Sequence, residues 1–546
     1  MGNTGIPPIA KKLKKWYTKA MKELLEKEDT VTISRVEYDE MKAQIQYLMA
    51  QLRLGKHRQF GVSSEKSEYD QVNLFNEAEA YTEPLAPEPE LCEVEKHYRR
   101  KRRETMDSIP DDIPVEVMEH VLPPYEQSCP ACDGSLHVMG KEIVRRELKL
   151  IPQSAVIVEE VQYVYACRDC EQNGVAVPVV KAPMPEPVIK GSFAAPESIA
   201  HIMTQKFVMG VPLYRQEQEW KRHGILLSRQ TMSNWLLKAS EDWLEPIYDA
   251  LKERLLAHDI LHADETVLQV LREPGKSAQS KSYMWAYRTS GDTDQHIILL
   301  EYQPDRKAKR PEEFLKGFKG YLHTDGYEAY HKLSDDVTIV GCWAHARRKF
   351  DEALKILPHK GRNDSGPLIG KQYCDKLFTI ERELAGRKLP PEDRHLWRQE
   401  QAQPVLDEFW AWLNSQRLTK SPFGKAVSYT LGQWKYLLCY LLDGRLEISN
   451  NRMERSIKPF VIDRKNFLFA NTPRGAKASA VIFSIIETAK ENGLNPYEYL
   501  TFMFRVLPNN AGKPIGDFLP GSGDLPERCH CPKQKNGAEI YVWEEN

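Results

Sequence analysis

From residue 258 onward the chain changes period, and the order of the change admits few folds. HDILHADETVLQVL (258–271) alternates apolar and polar residues as a strand does. KSYMWAYRT (281–289) and QHIILLEY (295–302) repeat the pattern. PEEFLKGF (311–318) then reads as a helix, GYLHTDGY (320–327) as a short strand ending in an acid and a glycine, and DVTIVGCW (336–343) as a fifth strand running into the helix AHARRKFDEAL. Three successive strands, followed by strand and helix in alternation, require a mixed sheet with helices packed on it.

That order is the one an RNase H-like α/β core uses, and its first and fourth strands are neighbours. The expectation is therefore that Asp264, on the first strand, approaches Asp325, at the end of the fourth. Two carboxylates so close repel each other unless cations sit between them. Mg²⁺ is the natural occupant, because it takes oxygen ligands and keeps waters for chemistry. Two such ions can clamp the attacking and leaving oxygens of a phosphodiester displacement. Asp259 and Glu265 compete for the role, but alternation places both on the opposite strand face from Asp264. The third acid is expected on a helix in LEISNNRMERSIKPFVIDRKNFLFA (446–470). With Ser449 or Asn450 as cap, Asn450, Asn451, Glu454 and Lys458 share one face, and Pro459 can end the helix after Lys458. Glu454 is the candidate ligand, with Lys458, Arg464 and Lys465 facing DNA phosphates; Glu447, before the cap, is the runner-up.

Upstream, the chain carries a second kind of signal. Ten cysteines in 546 residues are too few for a disulfide scaffold, yet four form two Cys-x-x-Cys pairs, Cys129/Cys132 and Cys167/Cys170, with 34 residues between. Two such pairs close a tetrahedral structural Zn²⁺ site of the zinc-ribbon kind, with no open position for catalysis. Free, partly buried thiols are the alternative. The segment between the pairs, VRRELKLIPQSAVIVEEVQYVYA, alternates in the β manner. Farther on, PLYRQEQEWKRHG and ILLSRQTMSNWLLKAS read as two helices broken at Gly224, the second capped by Ser228. Leu227, Met232, Trp235 and Leu236 would face inward, leaving Arg229, Gln230, Ser233, Asn234 and Lys238 outward. This fits a helix-turn-helix, although helical hairpins without a DNA role share the pattern.

Net charge is −2, so nucleic-acid binding cannot be argued from a global basic excess. Locally the charge is segregated. Residues 1–60 have a net of +5 and residues 61–95 a net of −9, followed by KHYRRKRR (96–103), six basic residues in eight. Arg99, Arg100, Arg102 and Arg103 read either as solvated charge or as an arm contacting phosphates. Tyr38, Met41, Ile45, Leu48 and Leu52 form an a/d seam of about two heptads, which serves a dimer or a helix packed on its own protein. A hydrophobic content of 41% supports real cores. No apolar run reaches about 18 residues and the first residues lack a signal-peptide core, so the expected location is the cytoplasm, with no membrane contact.

These residues resemble the large transposase of the insertion sequence 66 family, a bacterial DDE-type transposase. The motifs that carry the likeness are FGVSSEK (60–66), the paired Cys-x-x-Cys, PLYRQEQEW (212–220), LHADET (261–266), HTDGY (323–327), GCWAHARRKF (341–350) and NNRMERSIKPF (450–460). They occur in the family's order between about residues 35 and 507. The resemblance implies Asp264, Asp325 and Glu454 as the catalytic triad, two Mg²⁺ per active site, and cleavage and joining of DNA at the ends of an insertion sequence. It further implies double-stranded DNA as partner, a homo-oligomer on DNA, and small accessory proteins of the element. Cys342 and His345 resemble a Cys-x-x-His signature of several such enzymes; a buried structural pair is the preferred reading. Ser449 stands where the family often has Asp.

The expected organisation has eight parts. A helical or coiled-coil segment (1–60), an acidic linker with the basic arm (61–104) and a zinc ribbon (105–190) precede a helix-turn-helix-like region (191–257). The core follows in two pieces (258–357 and 441–507) around a helical insertion (358–440), with a tail at 508–546. Buried core is the expected role of Trp397, Trp410, Trp412 and Trp434 in the insertion, with base stacking as the alternative.

Overall fold

The computed structural model describes residues 155–166, 179–358, 362–510 and 512–532. The heptad segment, the acidic stretch, Arg99, Arg100, Arg102, Arg103 and all four paired cysteines lie outside the described residues. The chain divides into two compact units. One contains Val340–Ser449, and the other the described residues up to Ile339 together with those from Asn450 onward.

In the larger unit, β1 (Val164–Ala166) pairs antiparallel with β2 (Val179–Lys181). The β-alternation expected upstream is not realised in residues 155–163, which form no strand and leave Val156, Ile157 and Val158 exposed. Alternation alone makes no strand; a ladder partner is needed, and among the described residues of this segment Val164–Ala166 find one. Helices α1 (Pro196–Phe207), α2 (Leu213–Arg222) and α3 (Arg229–Ala239) follow. Gly224 adopts φ +78°, the left-handed conformation that lets the chain turn between α2 and α3. Ser228 accepts a hydrogen bond from the Thr231 amide and caps α3, as its sequence indicated. A single π-helical turn, Ser240–Leu244, passes into α4 (Glu245–Leu256).

The sheet contains β3 (Ile260–Gln269), β4 (Lys281–Thr289), β5 (Ile298–Gln303), β6 (Gly320–His323) and β7 (Val337–Val340), in the spatial order β5-β4-β3-β6-β7. β3, β4 and β5 form an antiparallel meander, and β3 pairs parallel with β6. Helix α5 (Lys309–Phe314) lies in the crossover between β5 and β6. Edge strand β5 would present unpaired amides and carbonyls, a liability that another element must cover. Here the later helix Pro473–Glu491 covers it: Ser484 accepts a hydrogen bond from the Leu300 amide at 2.7 Å, and Thr488 bonds both the amide and the carbonyl of Ile298, at 3.0 and 2.9 Å.

The smaller unit is helical. It contains α6 (Trp343–Ile356), α7 (Gly366–Arg387), α8 (Pro391–Ser415) and α9 (Pro422–Leu437). Trp343, Phe350, Phe409 and Trp434 form its aromatic core, with ring centroids 5.7–6.0 Å apart. The four insertion tryptophans do not behave alike. Trp434 is buried and Trp412 packs beside Phe350, whereas Trp410 remains 42% exposed against Trp434 and Trp397 lies under Arg387. Arg398 is buried without loose donors. It pairs with both oxygens of Glu381 and donates to the carbonyls of Tyr440, Asp443 and Leu446, which is how a guanidinium is held in a core.

The chain then returns to the larger unit as α10 (Asn451–Phe467), α11 (Pro473–Glu491) and α12 (Pro496–Val506). Pro459 does not end α10, which runs eight residues beyond it. A proline removes one intrahelical hydrogen bond, and the burial of Phe460 on the following turn offsets that loss. The tail is also part of this fold. Cys529 is buried, its carbonyl accepts from the Asn495 amide, and the Cys531 amide donates to Gly493.

Candidate active site

The parallel pairing of β3 with β6 ends at His262 opposite His323. Asp264 and Asp325 each lie two residues past that pair, so equal register carries both carboxylates to the same end of adjacent strands. The two imidazoles beneath them are fully buried and stacked, with centroids 4.2 Å apart and planes 9° from parallel. Burial pushes the His262 pKa down to about 3, so this ring is a neutral floor and adds no charge to the site. After β6, Gly326 takes φ +90° and folds the loop back, letting Asp325 accept the Tyr327 amide at 2.9 Å. The sequence held a sign of this construction: His-x-Asp occurs twice, at 262–264 and 323–325. Its meaning emerges only once the strand register is known.

Ligand oxygens of Asp264, Glu265 and Asp325 all lie within 4.8 Å of one another. Burial, then the neighbouring charges of Glu265 and Asp325, raise the Asp264 pKa well above the usual carboxylate range, and Glu454 adds to that repulsion. A desolvated all-oxygen cluster of this kind fits a hard divalent cation such as Mg²⁺.

The expectation that Glu265 points away from Asp264 is corrected. β3 pairs with β6 only from Ile260 to His262, and beyond that point Arg464 of α10 bonds Thr266 and Val267. The Glu265 carboxylate nevertheless meets those of Asp264 and Asp325. It is tied to Arg306 through Nε at 2.7 Å and through Nη2, and it accepts the Tyr330 hydroxyl at 2.8 Å.

Glu454 lies in the first turn of α10 and is half-buried. Asn450 precedes the helix but does not cap it with its side chain. Instead its amide spans to β3, with Nδ2 donating to the Ala263 carbonyl and Oδ1 meeting His262 Nδ1, both at 2.9 Å. The helix that carries Glu454 is thus fastened to the strand that carries Asp264. The face running through Asn450, Glu454 and Lys458 passes from buried to half-buried to exposed, leaving Lys458 in solvent. Lys465 is exposed as well. Arg464, expected at DNA phosphates, donates to Val267 and Thr266 of β3. Glu447 belongs to the loop before the helix.

In the helical region, Met232, Trp235 and Leu236 are buried while Arg229, Gln230 and Asn234 are exposed on α3. Ser233 and Leu227 are half-buried. Gln230 donates to Asn234 at 3.2 Å, and the Arg229 guanidinium lies 5.6 Å from the Tyr214 ring. In the helical unit, Cys342 is buried at the start of α6 and His345 is half-buried one turn in.

A mixed sheet that brings Asp264 of β3 beside Asp325 just past β6, a third acid on a following helix and a capped polar-faced helix upstream define a mixed α/β protein with an acidic, cation-ready centre. Comparison with known proteins gives that class a family. Residues 191–478 match the family described as Transposase IS66 family. Residues 126–171 match the zinc-finger binding domain of transposase IS66, and residues 484–520 the IS66 C-terminal element. Residues 47–118 match Transposase C of IS166 homeodomain. The chain belongs to the IS66 transposase family, with a zinc-finger domain and DNA as a partner. Similar proteins include two uncharacterized proteins of Sinorhizobium fredii, y4jD and y4hP. The first is 33% identical over 70% of this chain and 74% of its own length, the second 29% identical over 77% of each. The C-terminal match runs to residue 520, past the limit of about 507 set by motifs alone.

No helix among the described residues is long and apolar enough to cross a membrane.

Proposed function

We propose that the protein is an active DDE transposase with an RNase H-like core, which cleaves the ends of its insertion sequence and joins the resulting 3′-OH ends to target DNA. The observation that carries this reading is the equal-register meeting of Asp264 and Asp325, with the Glu454 charge on α10 adding to the repulsion at Asp264. The sheet order β5-β4-β3-β6-β7 supports it. Asp264, Asp325 and Glu454 would hold two Mg²⁺, which when bound supply a nucleophilic water and neutralise charge on a reacting phosphodiester. The chain's own residues orient: Asn450 fastens α10 to β3, and the buried imidazole pair keeps water from beneath the aspartates. The nucleophiles are water and then the DNA 3′-OH, so no covalent protein–DNA link forms. Boundaries at 190, 257, 357, 440 and 507, assembly as at least a dimer on DNA, and accessory proteins belong to the same reading.

The test uses a duplex bearing the terminal repeat that flanks the gene. Mg²⁺-dependent release of a 3′-OH followed by strand transfer is the expected result. Hydrolysis without joining of pre-cleaved ends would make the protein a nuclease, and end binding without cutting would make it a recognition protein.

Two further expectations concern its DNA-binding and zinc regions. Cys129, Cys132, Cys167 and Cys170 are assigned to one structural Zn²⁺, so metal analysis should find about one zinc per chain. Cys129→Ser should lose it, whereas full retention in a Cys129→Ser/Cys167→Ser variant would remove the assignment. For DNA, neutralising Arg99, Arg100, Arg102 and Arg103 should weaken binding to all sequences and flatten its salt dependence, because phosphate contacts carry no sequence information. Replacing Arg229, Gln230 or Asn234 by Ala should reduce preference for the terminal repeat over random duplex, by about 1–3 kcal/mol per lost base contact. Equal losses on both duplexes from both sets would refute a recognition helix on α3.

A further inference from the structure

One group at the carboxylate cluster is a cation that the triad does not use. Arg306 follows β5, and its guanidinium lies over the Tyr327 ring, 3.6 Å from the ring centroid. The Tyr327 hydroxyl donates to the Arg306 carbonyl at 2.6 Å, and the Tyr327 amide donates to Asp325. Backbone, ring and loop are therefore fastened to one another beside the second aspartate.

Glu265 fixes the other side of the guanidinium. Its side chain is only 1% exposed, and its oxygens are taken by Arg306 and by Tyr330. Serving as a metal ligand would require the buried Glu265 carboxylate to give up its bonds to Arg306 and Tyr330. Glu265 is therefore better understood as a counter-ion than as a fourth ligand.

Arg306 has spent only Nε and Nη2 on this carboxylate, both on one oxygen. A guanidinium has five N–H donors in a rigid fork, so an outward-facing set is left over. The side chain is 37% exposed, enough to reach a ligand while its plane stays locked. Stacking on an aromatic face and presenting a planar fork suits phosphate recognition in a way that a lysine would not.

Resting on the transposase reading above, we propose that Arg306 grips a DNA phosphate at or next to the one to be cut, and that Glu265 is its positioning residue. A phosphodiester lying over Asp264 and Asp325 brings negative charge to an already acidic cluster. A fixed cation at the cluster's edge offsets that repulsion before any chemistry, so the effect belongs to binding as well as to turnover.

The experiment is a cycle between protein and DNA, read as equilibrium binding of the full chain to a terminal-repeat duplex without divalent metal. Single neutral methylphosphonates are placed at the cut and at its immediate neighbours. Loss of one charge-assisted phosphate contact should weaken wild-type binding about ten-fold at one of these positions. Arg306→Gln should weaken binding to the unmodified duplex by a similar factor and lose no more on the modified one. Arg306→Lys keeps a charge beside Glu265, guarding against misfolding, and should show a reduced but measurable dependence on the same phosphate. If the losses from Arg306→Gln and from every methylphosphonate simply multiply, and Arg306→Lys behaves likewise, the arginine is only a structural partner of Glu265 and the proposal is overturned. If the wild-type protein does not bind the terminal repeat at all, the transposase reading falls first and the proposal with it.

Discussion

Glu454→Gln should abolish Mg²⁺-dependent cleavage and strand transfer while leaving end binding intact. The amide preserves shape but removes the charge that would hold an ion. Glu454 lies in the first turn of α10, which Asn450 fastens to β3, so its position is set by the strand that carries Asp264. Loss of one metal-holding charge should cost about 10²–10³-fold in rate, the range of removing a single electrostatic stabiliser from an active site. Glu447→Gln should be far milder, because that residue sits in the loop before the helix and outside the fastened segment. Measured side by side under single-turnover conditions, an active Glu454→Gln protein beside a dead Glu447→Gln protein would move the third ligand seven residues upstream.

The readable parts of this protein are those in which local pattern and tertiary role agree. The five strands are legible because alternation, length and bounding turns coincide, and Asp264 and Asp325 fall out of the strand order. The cap at Ser228 and the buried face of α3 are legible for the same reason. What stays hidden depends on the third dimension. Glu265 follows the period-two rule into the wrong inference, because alternation fixes where a side chain leaves the strand and not where its carboxylate ends, and Arg306 and Tyr330 hold this one beside Asp264 and Asp325. Asn450 reads as a helix cap, since Asn at that position usually is one; its use as a bridge to His262 and Ala263 requires knowing what α10 packs against. Pro459 reads as a terminator because local sterics are visible in sequence and the burial that overrides them is not. Arg306 carries no motif at all, and only the stack on Tyr327 and the bond to Glu265 mark it.

Asp264→Asn should separate the site's cost from its function. The folded protein buries the Asp264 carboxyl among other acids, and burial followed by the charges of Glu265 and Asp325 opposes its ionised form. The amide removes that opposition, so the variant should be as stable as or more stable than wild type when no divalent ion is present. It should also be inactive. With Mg²⁺ the order should reverse, because an ion that binds only the folded state stabilises it by mass action, about 2.7 kcal/mol at a hundred times its dissociation constant. For a unit of about 150–250 residues that corresponds to roughly 5–10 °C in melting temperature. Wild-type melting should thus rise with Mg²⁺ while Asp264→Asn stays nearly flat, measured by calorimetry on the full chain in chelator and in excess Mg²⁺. A variant that melts well below wild type in chelator would mean that Asp264 is held by favourable protein contacts, contrary to a carboxylate kept under strain for a cation. The argument turns on a sign: a residue retained for packing destabilises when altered, whereas one retained to hold an ion relieves the fold when its charge is removed.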